Sequence, residues 1–232
     1  MYIIKIMSQS ISEFIFFKVK AEVRPEDPAS TEGRALLGVF QTTQHQSGHR
    51  NSVWGRVVED DDVIIWAVEW TDARCSTAVN LLQPFLAPSA QPPTALYTTL
   101  SPPISSTGTL TANPVTEICT LPFPSSLTVQ ETRQLNADLI NFRIVLVEHL
   151  PQASGPRSWA MGHVDRPSMV QHANSPSGHA ILHLLAIGWE TVEAHLQAKE
   201  TAQFQQAVAP IREKMLPPVP GLEIKHVSFK KI

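Results

Sequence analysis

The sequence lacks most of what would assign it to a large, easily read class of protein. Of its 232 residues only Cys75 and Cys119 are cysteines. They have no C-x-x-C spacing, so neither a zinc site nor a disulfide framework is indicated, and two buried free thiols in a reducing compartment are expected. Charged residues make up 17% and the net charge is −3. No basic run is present that could track nucleic acid or an anionic membrane. No stretch approaches the roughly 18 apolar residues that span a bilayer. The short apolar patch opening MYIIKIMSQS gives way to Ser8, Gln9 and Ser10 before a secretory core could form. These absences predict a soluble, cytoplasmic protein without nucleic-acid or membrane partners. There is also no Gly-rich phosphate loop, no G-x-S-x-G, no Cys–His nucleophile pair and no paired-carboxylate signature, which disfavours nucleotide-dependent and hydrolytic chemistry.

What is present is a phrase written twice. VIIWAVEWTDA (63–73) is an apolar strand that ends at a tryptophan and runs into a polar helix start, and ILHLLAIGWETVEA (181–194) has the same shape. Before the first copy, 14–21 reads as a strand. Asp27 as N-cap with Pro28 at the first helical position opens a helix through Leu36, Val39, Phe40 and Thr43 to Gly48. A strand at 52–58, the acidic turn Asp60–Asp61–Asp62 and the strand 63–70 follow. A short helix capped by Thr71 or Asp72 then reaches about Leu82, and one more strand lies at 95–100. Nine of the 19 prolines fall between 84 and 124, which reads as a surface connection.

Beyond it the order returns. A strand at 115–121 precedes a helix opened by the Thr128–Glu131 capping box, with Leu135, Leu139, Phe142, Leu146 and Leu150 on one face and Pro151 as its stop. Strands at 158–164 and 179–188, a helical stretch from about 190 to 215 bent or broken near Pro210, and a strand at 222–229 complete the second half. Each half therefore reads β-α-β-β-α-β, the ferredoxin-like unit. The spacing Trp70 to Trp189 is 119 residues and Gly55 to Gly162 is 107; the longer hairpin loop DRPSMVQHANSPSG of the second half, against DDD in the first, accounts for the difference. Phe14–Phe17, Val63–Val68 and Ile181–Ile187 do not alternate polar with apolar, so their sheets must be covered on both faces. The predicted fold is α+β: two ferredoxin-like βαββαβ repeats fused in one chain and packed sheet to sheet as a closed barrel with its helices outside. The halves are assigned to 12–100 and 115–232, with 101–114 as the proline-rich connection.

SGHRNSVWGRVVEDDDVIIWAVEWTDA, SWAMGHVDRP and GHAILHLLAIGWETVEAHLQAKETAQFQQAVAPIREK together resemble uncharacterised filamentous-fungal proteins of the dimeric α+β barrel superfamily. Within it the chain looks most like the antibiotic-biosynthesis-monooxygenase (ABM) group, as a fused tandem. The superfamily includes cofactor-free oxygenases acting on polycyclic phenols, polyketide cyclases, muconolactone-type isomerases and haem-handling enzymes. The resemblance implies a pocket inside a half-barrel, lined by strand side chains and closed by helices.

Several residues could carry chemistry in such a pocket. His163 ends a strand and His183 interrupts an apolar one; either could move a proton near neutral pH, or be a hydrogen-bonded core histidine. Arg56 follows Gly55 as His163 follows Gly162, where a cation could offset an enolate or phenolate. Its alternative is a salt bridge with Glu59 or Glu69. Trp66, Trp159 and Trp54 could hold an aromatic ring, with His149 at the barrel mouth, whereas Trp70 and Trp189 occupy matching core positions. His179 and His183 are four apart, roughly 13 Å along a strand, so they share no ion. No metal and no cofactor are expected. The expected function is a cofactor-independent enzyme acting on a small hydrophobic, aromatic or polyketide-like metabolite in secondary metabolism, by monooxygenation or by acid–base cyclisation or isomerisation. A non-catalytic binding protein of the same fold is the alternative, and a homodimer through outer surfaces is left open.

Overall fold

Aromatic and β-branched side chains make β1 (Ile11–Lys18) a strand buried along nearly its whole length. The computed structural model describes residues 10–88, 90–151 and 155–232, so the apolar patch opening the sequence lies outside it. After β1 come α1 (Thr31–Thr43), β2 (His49–Arg56), β3 (Val63–Trp70), a 3₁₀ helix (Val79–Phe85) and β4 (Thr94–Thr98). They form an antiparallel sheet in the order β4-β1-β3-β2. A one-turn helix, α2 (Ile104–Thr107), leads to β5 (Val115–Pro124), α3 (Val129–Ile144), a π-helical turn (Val145–His149), β6 (Ser158–Arg166) and β7 (Val170–Gln171). Then follow β8 (His179–Trp189), α4 (Val192–Glu200), α5 (Ala202–Arg212), β9 (Lys225–Val227) and β10 (Lys230–Lys231). Here the order is β9-β5-β8-β6, again antiparallel.

The two sets join at two seams. At one, β4 pairs with β6 through Tyr97↔Arg166 and Thr98↔Val164. At the other, β10 pairs with β2, and Val57↔Val227 bridges β9 to the end of β2. The antiparallel sheet thus curls round until it meets itself, which removes the free edges of both sets. Gly55 and Gly162 sit one at each seam. A Cβ on Gly55 would meet Val227 Cγ1 and stand 2.8 Å from the Ser228 carbonyl oxygen. On Gly162 it would meet Thr98 Oγ1 and the Thr99 carbonyl. Only glycine lets the opposing backbones come this close.

The inner face is filled with side chains from both sets, among them Phe14, Phe16, Ile65, Ile118, Leu182 and Leu184. Two further cores lie outside the sheet. One packs Ile15, Trp66 and Trp70 under α1, and the other packs Cys119, Leu185 and Trp189 under α3, α4 and α5.

Local structure departs from the sequence reading at five points. Helix α1 starts after Ser30, whose hydroxyl accepts from Gly33 N at 2.9 Å; Asp27 instead closes a turn onto Ala29 N. No α-helix follows Thr71: Asp72 is bound to the backbone and guanidinium of Arg74, and only the later 3₁₀ helix forms. The long helical stretch breaks at Thr201, which ends α4 and caps α5 through Phe204 N, while Pro210 rides inside α5. The final strand is two short pieces. The proline-rich connection is not confined to the surface, because Leu100, Ile104 and Leu110 are inner-core residues and Pro122 and Pro124 lie in β5.

Candidate active site

Odd-numbered residues of β5 and β8 point away from the barrel interior, toward the helices. In β5 these include Glu117 and Cys119; in β8, Leu185 and Ile187. The Thr191 hydroxyl caps α4 through Ala194 N at 3.1 Å, and one turn later the helix places His195 against the sheet. Between this face and Phe142, Phe204 and Ile211 of the covering helices lies a cavity of about 120 Å³. Its walls are almost wholly apolar apart from Glu117 and His195. It reaches the surface beside Lys199, Arg212 and Ile224, the last being 41% exposed.

Glu117 is the third residue of β5, and β8 brings its last residue, Trp189, opposite the start of that strand. The Trp189 indole N–H donates to Glu117 Oε2 at 3.0 Å. His195 Nε2 stands 3.4 Å from the same oxygen, and its ring stacks on Trp189 with centroids 4.9 Å apart. His195 Nδ1 is 2.8 Å from His226 Nε2, and His226 Nδ1 is hydrogen-bonded to Glu59 Oε1. Burial raises Glu117 to about 7, against smaller opposing effects of the Trp189 hydrogen bond and Lys199. Burial also drives His195 down to about 3, helped by His226 and Lys199. Near neutral pH the pair is therefore a neutral imidazole beside a carboxyl group poised between its two states. Cys119 shares the cavity as a neutral thiol, pushed well up by burial. Cys75, expected to be buried too, is only partly covered.

The first half repeats the Glu–Trp contact and closes the space beside it. Glu13, third in β1, accepts from the Trp70 indole at 2.7 Å, from Thr77 N and Oγ1, each at 2.9 Å, and from the Tyr97 hydroxyl at 2.5 Å. Four donors saturate this carboxylate, and Thr77 and Tyr97 occupy the space beside it.

The residues singled out from sequence lie elsewhere. His183 and His163 are register partners on β8 and β6 with rings 5.3 Å apart in edge contact, and Phe123 meets the His183 ring on its other side at 5.7 Å. His183 is buried and lowered to about 4, by burial first and His163 second. His163 has a half-exposed side chain 3.7 Å from Asp165. Neither lines the cavity. Arg56 is held by Glu26, at 2.7 and 3.0 Å, and by the carbonyls of Val23 and Asp61, so its ion-pair partner is neither Glu59 nor Glu69. Trp66 and Trp159 are buried against Phe40 and Phe142, and the indole N–H of each is left without a hydrogen-bond partner. Trp54 lies under Lys230. His149 borders a separate surface groove with Asn141 and Gln203. Glu117, His195 and His226 were missed. For Glu117 the available signal was the Glu…Trp recurrence, a glutamate third in β1 and in β5 and a tryptophan closing β3 and β8.

No protein-family model matches this chain, and no curated protein matches it. Solved structures do. A candidate chlorite dismutase aligns over 96% of this chain and 95% of its own, with a TM-score of 0.60 at 11% identity. An anthrone oxidase-like protein aligns over 96% and 93%, with a TM-score of 0.56 at 11% identity. A candidate monooxygenase from Lactobacillus acidophilus aligns over 95% and 94%, with a TM-score of 0.53 at 8% identity. At these identities the likeness defines the fold alone: a mixed α+β protein with a curled antiparallel sheet. No helix among the described residues is long and apolar enough to cross a membrane.

Proposed function

We propose that this protein is an enzyme of the oxidase or monooxygenase type, acting on a small hydrophobic aromatic or polyketide-like metabolite without a cofactor, at the cavity of its second half. The observation that carries the reading is Glu117, a buried carboxyl group raised to about 7 in a mostly apolar cavity. Such a group serves as a general base near neutral pH. It would take a proton from a phenol or an activated C–H, and Lys199 at the cavity wall would offset the resulting negative charge. The carbanion or phenolate could then react with dioxygen, or, without it, cyclise or isomerise. A cavity of about 120 Å³ holds on the order of one aromatic ring, since benzene fills an engineered cavity of about 150 Å³. A larger substrate would extend through the mouth at Arg212 and Ile224. Names of structural neighbours, among them an anthrone oxidase-like protein, agree with this chemistry as analogy only.

We read the chain further as two fused ferredoxin-like repeats of ABM-like kind, cytoplasmic and serving fungal secondary metabolism. The repeated strand order, the paired Glu–Trp contacts and the glycine at each seam support the tandem reading. In it the first site has become structural and the second remains open. Oxygen uptake with a panel of phenols and anthrones tests the proposal. Glu117→Gln should lower turnover on the order of 10²–10⁴-fold, and an unchanged rate would sink it. Non-catalytic binding of a small hydrophobic molecule is the second reading, favoured by the mostly apolar lining of the cavity. It predicts ligand affinity that survives Glu117→Gln and no turnover at all.

A further inference from the structure

The Glu117 side chain is 6% exposed, yet a base must shed the proton it takes. The groups that face it are Trp189 from β8, Cys119 from β5, His195 and Lys199 from α4, and Arg212 from α5 at the cavity rim. Of these, His195 is the one hydrogen-bonded to a further buried titratable side chain among the described residues. Beyond it the contacts run unbroken across the second seam. His195 Nδ1 meets His226 Nε2 at 2.8 Å, and His226 Nδ1 is bonded to Glu59 Oε1. Glu59 Oε2 also accepts the His226 backbone N–H at 3.0 Å. The side chains of Glu117, His195 and His226 are 6, 2 and 5% exposed, while that of Glu59, in the turn between β2 and β3, is 43% exposed. The chain leads from the buried end of the cavity to an exposed carboxyl group.

We propose that Glu117, His195, His226 and Glu59 form a proton relay that discharges the active-site base to solvent; this rests on the acid–base reading of Glu117. One arrangement of hydrogens satisfies every link. The Glu59 carboxylate accepts from His226 Nδ1–H, His226 Nε2 accepts from His195 Nδ1–H, and His195 Nε2 faces the protonated oxygen of Glu117. Both imidazoles are then neutral and each link carries one proton. In discharge the Glu117 proton moves to His195 Nε2, the His195 Nδ1 proton to His226 Nε2, and the His226 Nδ1 proton to Glu59, which releases it to water. One proton leaves, no electrons move, and Glu117 is again a carboxylate; both imidazoles end with their hydrogen on Nε2, and each must return it to Nδ1 by a ring turn before the next discharge. His195, His226 and Glu59 are positioning residues in this scheme. Glu59 belongs to the first half, so one half supplies the exit for the other half's site. The first-half carboxyl group, Glu13, is held by Trp70, Thr77 and Tyr97, and none of these donors is a histidine.

The test needs no substrate. In the full-length protein, the Glu117 carboxyl stretch is followed by time-resolved infrared spectroscopy after a pH jump across about 7. It is assigned as the band that Glu117→Gln removes. Glu59→Gln can still hold His226, its carbonyl accepting the backbone N–H and its amide donating to an Nδ1 whose hydrogen has moved to Nε2, but it has no site to receive a proton. The relay predicts that the band relaxes on the order of 10²-fold more slowly in Glu59→Gln, the lower end of what a positioned proton-transfer group supplies. A purely structural seam predicts equal relaxation, and that outcome overturns the relay while leaving the acid–base role of Glu117 standing. Absence of a carboxyl band titrating near neutral pH overturns both.

Discussion

A carboxyl group and an imidazole buried side by side each give up their charge, and the two concessions have opposite consequences for stability. Glu117 is raised from its ordinary 4.5 to about 7, so the fold favours its protonated form. Its contribution is fully present below about 4.5 and is lost as pH rises through about 7. His195 and His183, lowered from 6.5 to about 3 and about 4, behave in reverse: their contribution is present above 6.5 and is lost as pH falls through those values. The unfolding free energy of wild type relative to Glu117→Gln should therefore decline between pH 4.5 and 7, with a limiting slope of about 1.4 kcal/mol per unit. His183→Leu should flatten the acid side of the profile, because it removes one group that must charge on unfolding. Urea titrations across pH check both. A pH-independent difference for Glu117→Gln would mean that its carboxyl ionises in the fold as it does in water.

At the scale of elements, the seams set what the strands can carry. Gly55→Ala and Gly162→Ala each drive a methyl group into an opposing strand and should cost about 1–3 kcal/mol. Gly38→Ala, in α1 with nothing within 4 Å of the new Cβ, should instead stabilise by up to about 1 kcal/mol. Denaturation midpoints of the three variants make the comparison, and a neutral Gly55→Ala would show that this seam yields. These elements also mark where the sequence was legible. The Thr128–Glu131 capping box is local, and α3 begins where it predicts. The apolar run 63–70 coincides with β3 because burial on both faces leaves no competing pattern. Thr201 was passed over for Pro210 because a side-chain cap and a helix-breaking ring are both local signals, and here the cap decides. Glu117 was hidden for a different reason. Its tryptophan partner is 72 residues away and that of Glu13 is 57 away, and no window along the chain brings such pairs together. Arg56 was legible as an ion-pair residue, but its partner, Glu26, is 30 residues away in a loop.

For the molecule as a whole, the inner core decides cooperativity. Phe14 and Ile65 of one half pack in the same cluster as Ile118 and Leu184 of the other, so neither half can bury its inner face alone. Equilibrium unfolding should be a single transition, coincident by tryptophan fluorescence and far-ultraviolet circular dichroism. Two separated transitions would mean that the halves are independent units.

The strand pair at residues 225–231 has a consequence for synthesis on the ribosome. Val227 and Lys230 are the stitches that join β5 and β2 across the second seam. A nascent chain that has emerged only as far as residue 220 has every helix in hand but must hold two unpaired strand edges in water. Those edges are templates for pairing with other chains. Such a chain should recruit holding chaperones until residues 225–231 emerge, and ribosome-arrested lengths on either side of Val227 should differ in what they bind.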